Sequence, residues 1–194
     1  MRPCSHWDER PDAADIRLLV IHNISLPAGE FAARPEQSYV DALFCGQLDC
    51  SAHPSFSDLA NLRVAAHCVI WRDGQIFQYV PFEKRAWHAG VSQFAGRERC
   101  NDFSIGIELE GTDNIPYTEQ QYSSLLQLSR YVLTQYPVVP VADHRIEIAE
   151  EIEHLSGVFT HPKPRAHFQS EGQKDALVGG VIVDAAIRAV VEAV

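Results

Sequence analysis

The chain has 194 residues, of which 46% are hydrophobic and 22% charged, a composition typical of one folded domain. No apolar run approaches the ~20 residues that span a bilayer, and the first residues lack the apolar core of a secretory signal. The formal net charge of −10 argues against nucleic acid and anionic membranes as partners. Five cysteines in no metal-binding spacing predict free thiols in a reducing cytoplasm.

The first 60 residues predict one buried strand between irregular segments. Residues 1–15 are expected to form an extended lead-in. The apolar run at 16–21 is typical of a strand buried on both faces, ending at His22-Asn23. Proline, glycine and charge predict loops at 27–37 and 49–58, and a short helix fits 38–48 between them.

The middle of the chain predicts a hairpin. The runs at 65–71 and 75–80 are rich in β-branched and aromatic residues and flank Asp73-Gly74, a strong two-residue turn signal. A long ordered loop is expected at 84–102, because it combines Trp87-His88-Ala89-Gly90 with three arginines. A second central strand is expected at 103–109.

The clearest helix is predicted at 118–136, where Thr118 and Gln121 form a capping-box pattern and Pro137 ends the apolar periodicity. Up to this point the pattern predicts an α/β (α+β) fold with a mixed central β-sheet flanked by helices. After about residue 140 the character changes, since the acidic stretch 146–155 could be helical and 176–194 is almost entirely small and apolar.

Two places along the predicted strands could carry chemistry. His22 ends a buried strand, where an imidazole can be a metal ligand, a general base or a structural side chain. Glu108 and Glu110 alternate on one strand and therefore share a face. Buried carboxylates are costly unless they bind a metal, pair with an arginine or do acid–base work. The alternative to a functional role is an ion pair with Arg97 or Arg99, or a strand end that already lies in water.

The blocks that carry a family resemblance are, in order, LLVIHNISLPAGEF, YVDALFCG, HPSF, LRVAAHCVIWRDGQIFQYVPFEKRAWHAGVS and GRERCNDFSIGIELEGTD. They resemble the AmpD family closely over about residues 16–137. AmpD proteins are cytoplasmic 1,6-anhydro-N-acetylmuramyl-L-alanine amidases of peptidoglycan recycling, with a zinc amidase fold shared with peptidoglycan recognition proteins.

The resemblance implies a role for each matching residue. His22 would be the first ligand of Zn²⁺, and Glu108 would be the catalytic acid and base that activates water. The substrate, an anhydro-muropeptide, would contact the matching wall residues, which are Asn23, Arg63, Trp87 and Arg99. The expected reaction is zinc-dependent hydrolysis of the amide between the lactyl group and L-alanine, by a monomer.

The second metal block of the family, roughly G-H-x-x-I-A-P-x-R-K-T-D-P-G-P, is missing. His144, followed by Ile148-Ala149, is a one-residue-shifted echo of its start and is taken as the second ligand. Ten residues later stands His154 where the family has Asp, and His161 and His167 are further candidate ligands. We therefore divide the chain into an amidase domain at 1–145 and a divergent tail at 146–194.

Three explanations of this tail remain open. In the first, the tail is natural and the protein binds muropeptides without hydrolysing them. In the second, the tail supplies the missing metal ligands from other positions. In the third, the tail results from a shifted reading frame or a fusion, which would give a defective product.

Overall fold

The structure is a computed structural model that describes residues 1–142 and 147–148. Within these residues the strands are β1 (Trp7–Glu9), β2 (Leu18–Ile24), β3 (Cys68–Ile70), β4 (Ile76–Gln78), β5 (Lys84–Ala86), β6 (Ser92–Phe94), β7 (Arg97–Glu98), β8 (Ser104–Glu110), β9 (Val139–Ala142) and β10 (Glu147–Ile148). The α-helices are α1 (Tyr39–Phe44), α2 (Cys100–Phe103) and α3 (Glu119–Gln135), and short 3-10 helices cover Pro35–Gln37 and Pro54–Leu59.

A mixed five-stranded sheet in the order β4-β3-β8-β2-β9 forms the centre of the described residues. The β3–β4 pair is antiparallel, whereas β3–β8, β8–β2 and β2–β9 are parallel. This arrangement confirms the predicted fold class. The strand predicted at 16–21 is β2, which starts and ends slightly later and buries every residue except the half-buried Asn23.

The hairpin between β3 and β4 turns at Asp73-Gly74, as predicted. Gly74 has φ +84°, a conformation that favours glycine, and its N–H donates to the carbonyl of Trp71 at 2.8 Å. The strands are shorter than the apolar runs that predicted them, because residues 65–67 and 79–80 leave the ladder.

The predicted helix is α3, and both bonds of its capping box are present. The N–H of Gln121 donates to Thr118 Oγ1 and the N–H of Thr118 donates to Gln121 Oε1, both at 3.1 Å. Its buried residues Leu125 and Val132 pack on a core cluster that takes Ile105, Ile107 and Leu109 from β8. The helix therefore covers the odd-numbered face of that central strand.

The other face of the sheet carries the functional candidates. Leu18 and Val20 of β2 pack there against Ala89, Cys100 and Phe103. Because side chains alternate along a strand, His22 continues this face of β2, and Ser104, Gly106 and Glu108 form the same face of β8. The segment between β4 and β8 thus covers the face opposite α3.

Some segments differ from the sequence predictions. The lead-in contains β1, which pairs with β5, and the predicted loop at 84–102 holds three short strands and the start of α2. Residues Glu147–Ile148 are extended and pair with β6, so the possible helix at 146–155 is wrong at these two positions. The remainder of that stretch and residues 176–194 lie outside the described residues.

All five cysteines are free, as predicted. Among the helices of the described residues, none combines the length and the apolar composition that a membrane crossing requires.

Candidate active site

His22 and Glu108 stand side by side on the two central strands. They are register partners in the parallel β2–β8 ladder, and paired residues of neighbouring strands project from the same face. Both are buried, with 3% and 0% of their surface exposed. The structure thus brings together the two residues that the sequence predicted as metal ligand and acid–base group, although they are 86 positions apart in the chain (108 − 22).

The imidazole of His88 lies directly against His22. His88 Nδ1 is 2.8 Å from His22 Nε2, and His88 Nε2 is 3.0 Å from Ser104 Oγ. The two rings meet edge to face, with centroids 5.0 Å apart. Burial lowers the pKa of His88 well below its usual value, and neighbouring His22 and His67 lower it further, so the ring is neutral.

Beneath His88, His67 and Arg10 form a buried polar layer. The N–H of Gly106 donates to His67 Nδ1 at 2.9 Å, so Nε2 carries the proton and donates to the Lys84 carbonyl at 3.1 Å. Burial and the nearby Arg10 guanidinium lower the pKa of His67 to about 3. His67 is therefore a neutral structural histidine whose acceptor nitrogen binds the backbone of β8.

Arg10 connects the segments around the site. Its guanidinium donates to the carbonyls of Phe82, Asn101, Asp102 and Ser104 at 2.6–3.2 Å. Burial lowers the pKa of Arg10 to about 10, so it keeps its charge near neutral pH. A buried guanidinium with this many carbonyl acceptors fixes the start of β8 against the preceding loop.

Glu110 shares the strand with Glu108 but has a different environment. One of its oxygens accepts the N–H of Arg72 at 3.2 Å, and burial raises its pKa. The arginines considered as partners pair elsewhere, since Arg97 forms an ion pair with Asp15 and Arg99 with Asp102. Both carboxylates are buried, so the solvated strand end is also wrong.

Two of the predicted substrate contacts are sequence neighbours of the two histidines that meet in the site, His22 and His88. Asn23 follows His22 on β2, so strand alternation directs it to the other face, where its amide donates to Asp113 Oδ1 at 2.8 Å. Trp87 precedes His88. Its indole N–H donates to Asp8 Oδ2 at 2.8 Å, and the Arg85 guanidinium lies 4.4 Å from its ring centre.

The two predicted arginines lie at the surface. Arg63 is exposed and donates to the Ser5 carbonyl at 3.0 Å. The side chain of Arg99 is 69% exposed and forms its ion pair with Asp102 at 2.8 Å. Their roles toward a substrate stay predictions.

The fit of this site to Zn²⁺ is partial. His22 supplies a buried imidazole beside a buried carboxylate, which is the donor chemistry of a hydrolytic zinc site. Within residues 1–142 and 147–148, however, no three His, Cys, Asp or Glu side chains come together in a group that could hold a metal ion. The predicted second ligand His144 and the candidates His154, His161 and His167 lie outside the described residues, so further ligands would have to come from there.

Sequence reasoning gave little weight to His88 and none to Ser104, Asn101 or Arg10. A signal was present on β8, where Ser104, Gly106 and Glu108 alternate with Ile105, Ile107 and Leu109. Small and acidic residues at every second position of a doubly buried strand indicate that something other than apolar side chains packs on that face.

Comparison with known proteins agrees with this geometry. The model of the N-acetylmuramoyl-L-alanine amidase family (Amidase_2) matches residues 12–170. The 1,6-anhydro-N-acetylmuramyl-L-alanine amidase AmpD of Escherichia coli K12 is 60% identical over 135 residues, 70% of this chain and 72% of that protein. The AmpD of Citrobacter freundii is 58% identical over 137 residues, 71% of each chain.

A crystal structure of a selenomethionine derivative of AmpD superposes with a TM-score of 0.74 at 46% identity, covering 97% of this chain and 91% of that one. The sequence matches and the structural match lead to the same family. The chain belongs to the AmpD family of N-acetylmuramoyl-L-alanine amidases.

Proposed function

We propose that this chain hydrolyses the amide between the lactyl group and L-alanine of 1,6-anhydro-muropeptides, in cytoplasmic peptidoglycan recycling. The observation that carries the proposal is the register pairing of His22 with Glu108 at the centre of a buried sheet. The names of the E. coli and C. freundii relatives supply the substrate class.

In this proposal Glu108 moves the proton. Its carboxylate takes a proton from the attacking water as the oxygen adds to the amide carbonyl, and then returns that proton to the leaving amine of L-alanine. Burial keeps bulk water from competing for the transferred proton. His22 would be one ligand of Zn²⁺ and His144 a second. A bound zinc ion supplies Lewis acidity, which polarises the carbonyl and lowers the pKa of water.

Asn23, Trp87, Arg63 and Arg99 would contact the muropeptide. An indole offers a flat apolar surface to a sugar or peptide stem, and a guanidinium suits the carboxylates of the stem. We also propose that the amidase domain comprises residues 1–145 and that 146–194 form a separate tail, and that the protein acts as a monomer. Exchanging 146–194 for the matching segment of the E. coli relative would test the division, because residues 1–145 should keep their unfolding midpoint whichever tail follows them.

The decisive experiment combines metal content with two matched carboxylate variants. After dialysis of the full chain against a weak chelator, elemental analysis should find about one zinc per chain. Glu108→Gln should reduce turnover of anhydro-muropeptide by about 10²–10⁴-fold, the usual contribution of a general base. Glu110→Gln is the control, because it alters a buried carboxylate two residues further along the same strand.

Equal loss in both variants would contradict the role of Glu108. A chain that holds no zinc and binds anhydro-muropeptide without cleaving it would replace hydrolysis by simple binding. Aggregation with neither activity would indicate that the tail prevents the chain from completing its core.

A further inference from the structure

Three buried side chains form a continuous row that ends at the candidate ligand His22. Ser104 Oγ lies 3.0 Å from His88 Nε2, and His88 Nδ1 lies 2.8 Å from His22 Nε2. Their exposed fractions are 0%, 6% and 3% in that order. A neutral imidazole has one donor and one acceptor nitrogen, so the hydrogen bonds of this row can run in only two directions.

The position of the His88 ring is fixed from both sides. Its backbone N–H and that of Ala89 donate to Asn101 Oδ1 at 3.0 and 2.9 Å, and Asn101 Nδ2 donates to the Gly90 carbonyl at 3.0 Å. On the other side the ring lies so close to β8 that a Cβ at Gly106 would be 2.4 Å from His88 Cγ. The loop is therefore held at its backbone while the ring fills the space above a glycine.

We propose that His88 is a positioning residue for His22, which it fixes in one tautomer. His22 Nε2–H donates to His88 Nδ1, and His88 Nε2–H donates to Ser104 Oγ. The lone pair of His22 is then on Nδ1, the nitrogen that does not contact His88.

The direction of the hydrogen bonds in this row follows from the role of His22 as a metal ligand, and this step rests on the proposed function. A metal ligand must offer a lone pair, and Nε2 is already within hydrogen-bond distance of His88. The lone pair must therefore belong to Nδ1, which requires the proton on Nε2. In the opposite direction Ser104 would donate to His88, His88 would donate to His22, and His22 Nδ1 would carry a proton and could not bind a metal. A histidine ligand whose second nitrogen donates to a fixed acceptor is the usual arrangement for controlling ring orientation.

Nuclear magnetic resonance of the full chain with ¹⁵N-labelled imidazoles reads the tautomers directly. Long-range ¹H–¹⁵N correlations distinguish protonated from unprotonated ring nitrogens, and the signals can be assigned by their loss in His22→Asn and His88→Asn. We expect the proton on Nε2 of both histidines, before and after chelator dialysis. Protons on Nδ1 of both rings would overturn the proposal.

Two variants separate positioning from packing. In His88→Asn the amide oxygen can occupy the place of Nδ1 and still accept from His22. In His88→Gln the amide reaches the place of Nε2 and leaves His22 without this acceptor. Zinc affinity, measured by competition with a chromogenic chelator, should fall by about 10–100-fold in His88→Gln. His88→Asn should recover most of that loss.

Equal losses in the two variants, or no loss in either, would contradict a positioning role. Unfolding midpoints of both variants establish that they fold. A wild-type chain that neither retains zinc nor cleaves muropeptide would refute the proposed function instead. The tautomer measurement needs neither metal nor substrate, so it would still decide the direction of the row.

Discussion

Substituting Gly106 by alanine should disturb the candidate site through a single methyl group. The new Cβ would lie 2.4 Å from His88 Cγ, 2.5 Å from Nδ1 and 2.8 Å from Cδ2, whereas real Cβ contacts essentially never fall below 3.0 Å. The ring must therefore move away from β8. Asn101 holds the backbone of His88, so the movement has to come from the ring and must change its hydrogen bonds to Ser104 and His22.

The expected cost has two parts. Overpacking of a filled interior costs about 1–3 kcal/mol of unfolding free energy, and each kcal/mol lowers the unfolding temperature by about 2–4 °C for a chain of this size. Displacing a hydrogen-bond partner of a metal ligand typically costs about 10–100-fold in activity or metal affinity. The assays are thermal unfolding of the full chain and kcat/KM on anhydro-muropeptide, normalised to folded protein.

Gly111→Ala is the matched control, since its Cβ would lie 2.3 Å from Tyr117 Cε1 and does not contact His88. It should cost a comparable unfolding free energy while leaving kcat/KM per folded molecule unchanged. The reasoning is refuted if Gly106→Ala keeps the wild-type rate, or if Gly111→Ala loses as much rate as Gly106→Ala does.

Arg10→Met should lower the unfolding free energy by at least about 3 kcal/mol in urea titrations, because it leaves several buried carbonyls without a donor. His67 has a pKa of about 3 in the folded chain against a usual 6.5, so the unfolded chain binds the extra proton and stability falls as pH drops from 6.5 toward 3. Between pH 6.5 and 5, His67→Asn should reduce the slope of unfolding free energy against pH by up to about 1.4 kcal/mol per unit. Thr118→Ala should cost about 1 kcal/mol and Thr118→Ser much less, because serine keeps the acceptor for the Gln121 N–H. Equal unfolding free energies of Thr118→Ala and Thr118→Ser would show that the capping hydroxyl contributes nothing to stability.

Elements whose signals are local could be predicted from the sequence. The Asp73-Gly74 turn and the capping box of α3 each depend on a few neighbouring residues, and both are present. The strand at β2 was identified because a run of apolar residues with no polar alternation suits a strand covered on both faces. Its end was predicted slightly too early, since the sequence indicated His22-Asn23 and the ladder continues to Ile24.

Elements that depend on distant partners could not be predicted. β5 is a strand because β1, about 75 residues earlier, pairs with it, and β6 pairs with Glu147–Ile148. Composition favoured a loop and a helix at these places, and cross-strand hydrogen bonds to remote segments override such local preferences. The same limit applies to Arg10, whose importance arises from carbonyls that the fold brings to it.

The two central residues of the candidate site could be identified locally, but their contacts could not. His22 and Glu108 were recognised separately, each from its place on a predicted strand, but their register pairing requires the parallel β2–β8 ladder. Nothing in the local sequence indicates that Ser104 would meet His88. Arg63 and Arg99 were predicted as substrate contacts from the family resemblance, and the structure places both at the surface.

The two faces of β8 have different compositions and different neighbours. Ile105, Ile107 and Leu109 are buried under α3, so the odd positions anchor the sheet through apolar area. Ser104, Gly106 and Glu108 each act on the opposite face, where the first closes the row of hydrogen bonds, the second makes room for the His88 ring and the third stands level with His22. A larger apolar residue at any of these three positions would add buried area but would displace or replace a group beside His22. The small residues at two even positions leave the space that the His88 ring fills, and the odd face provides the apolar packing that the even face lacks.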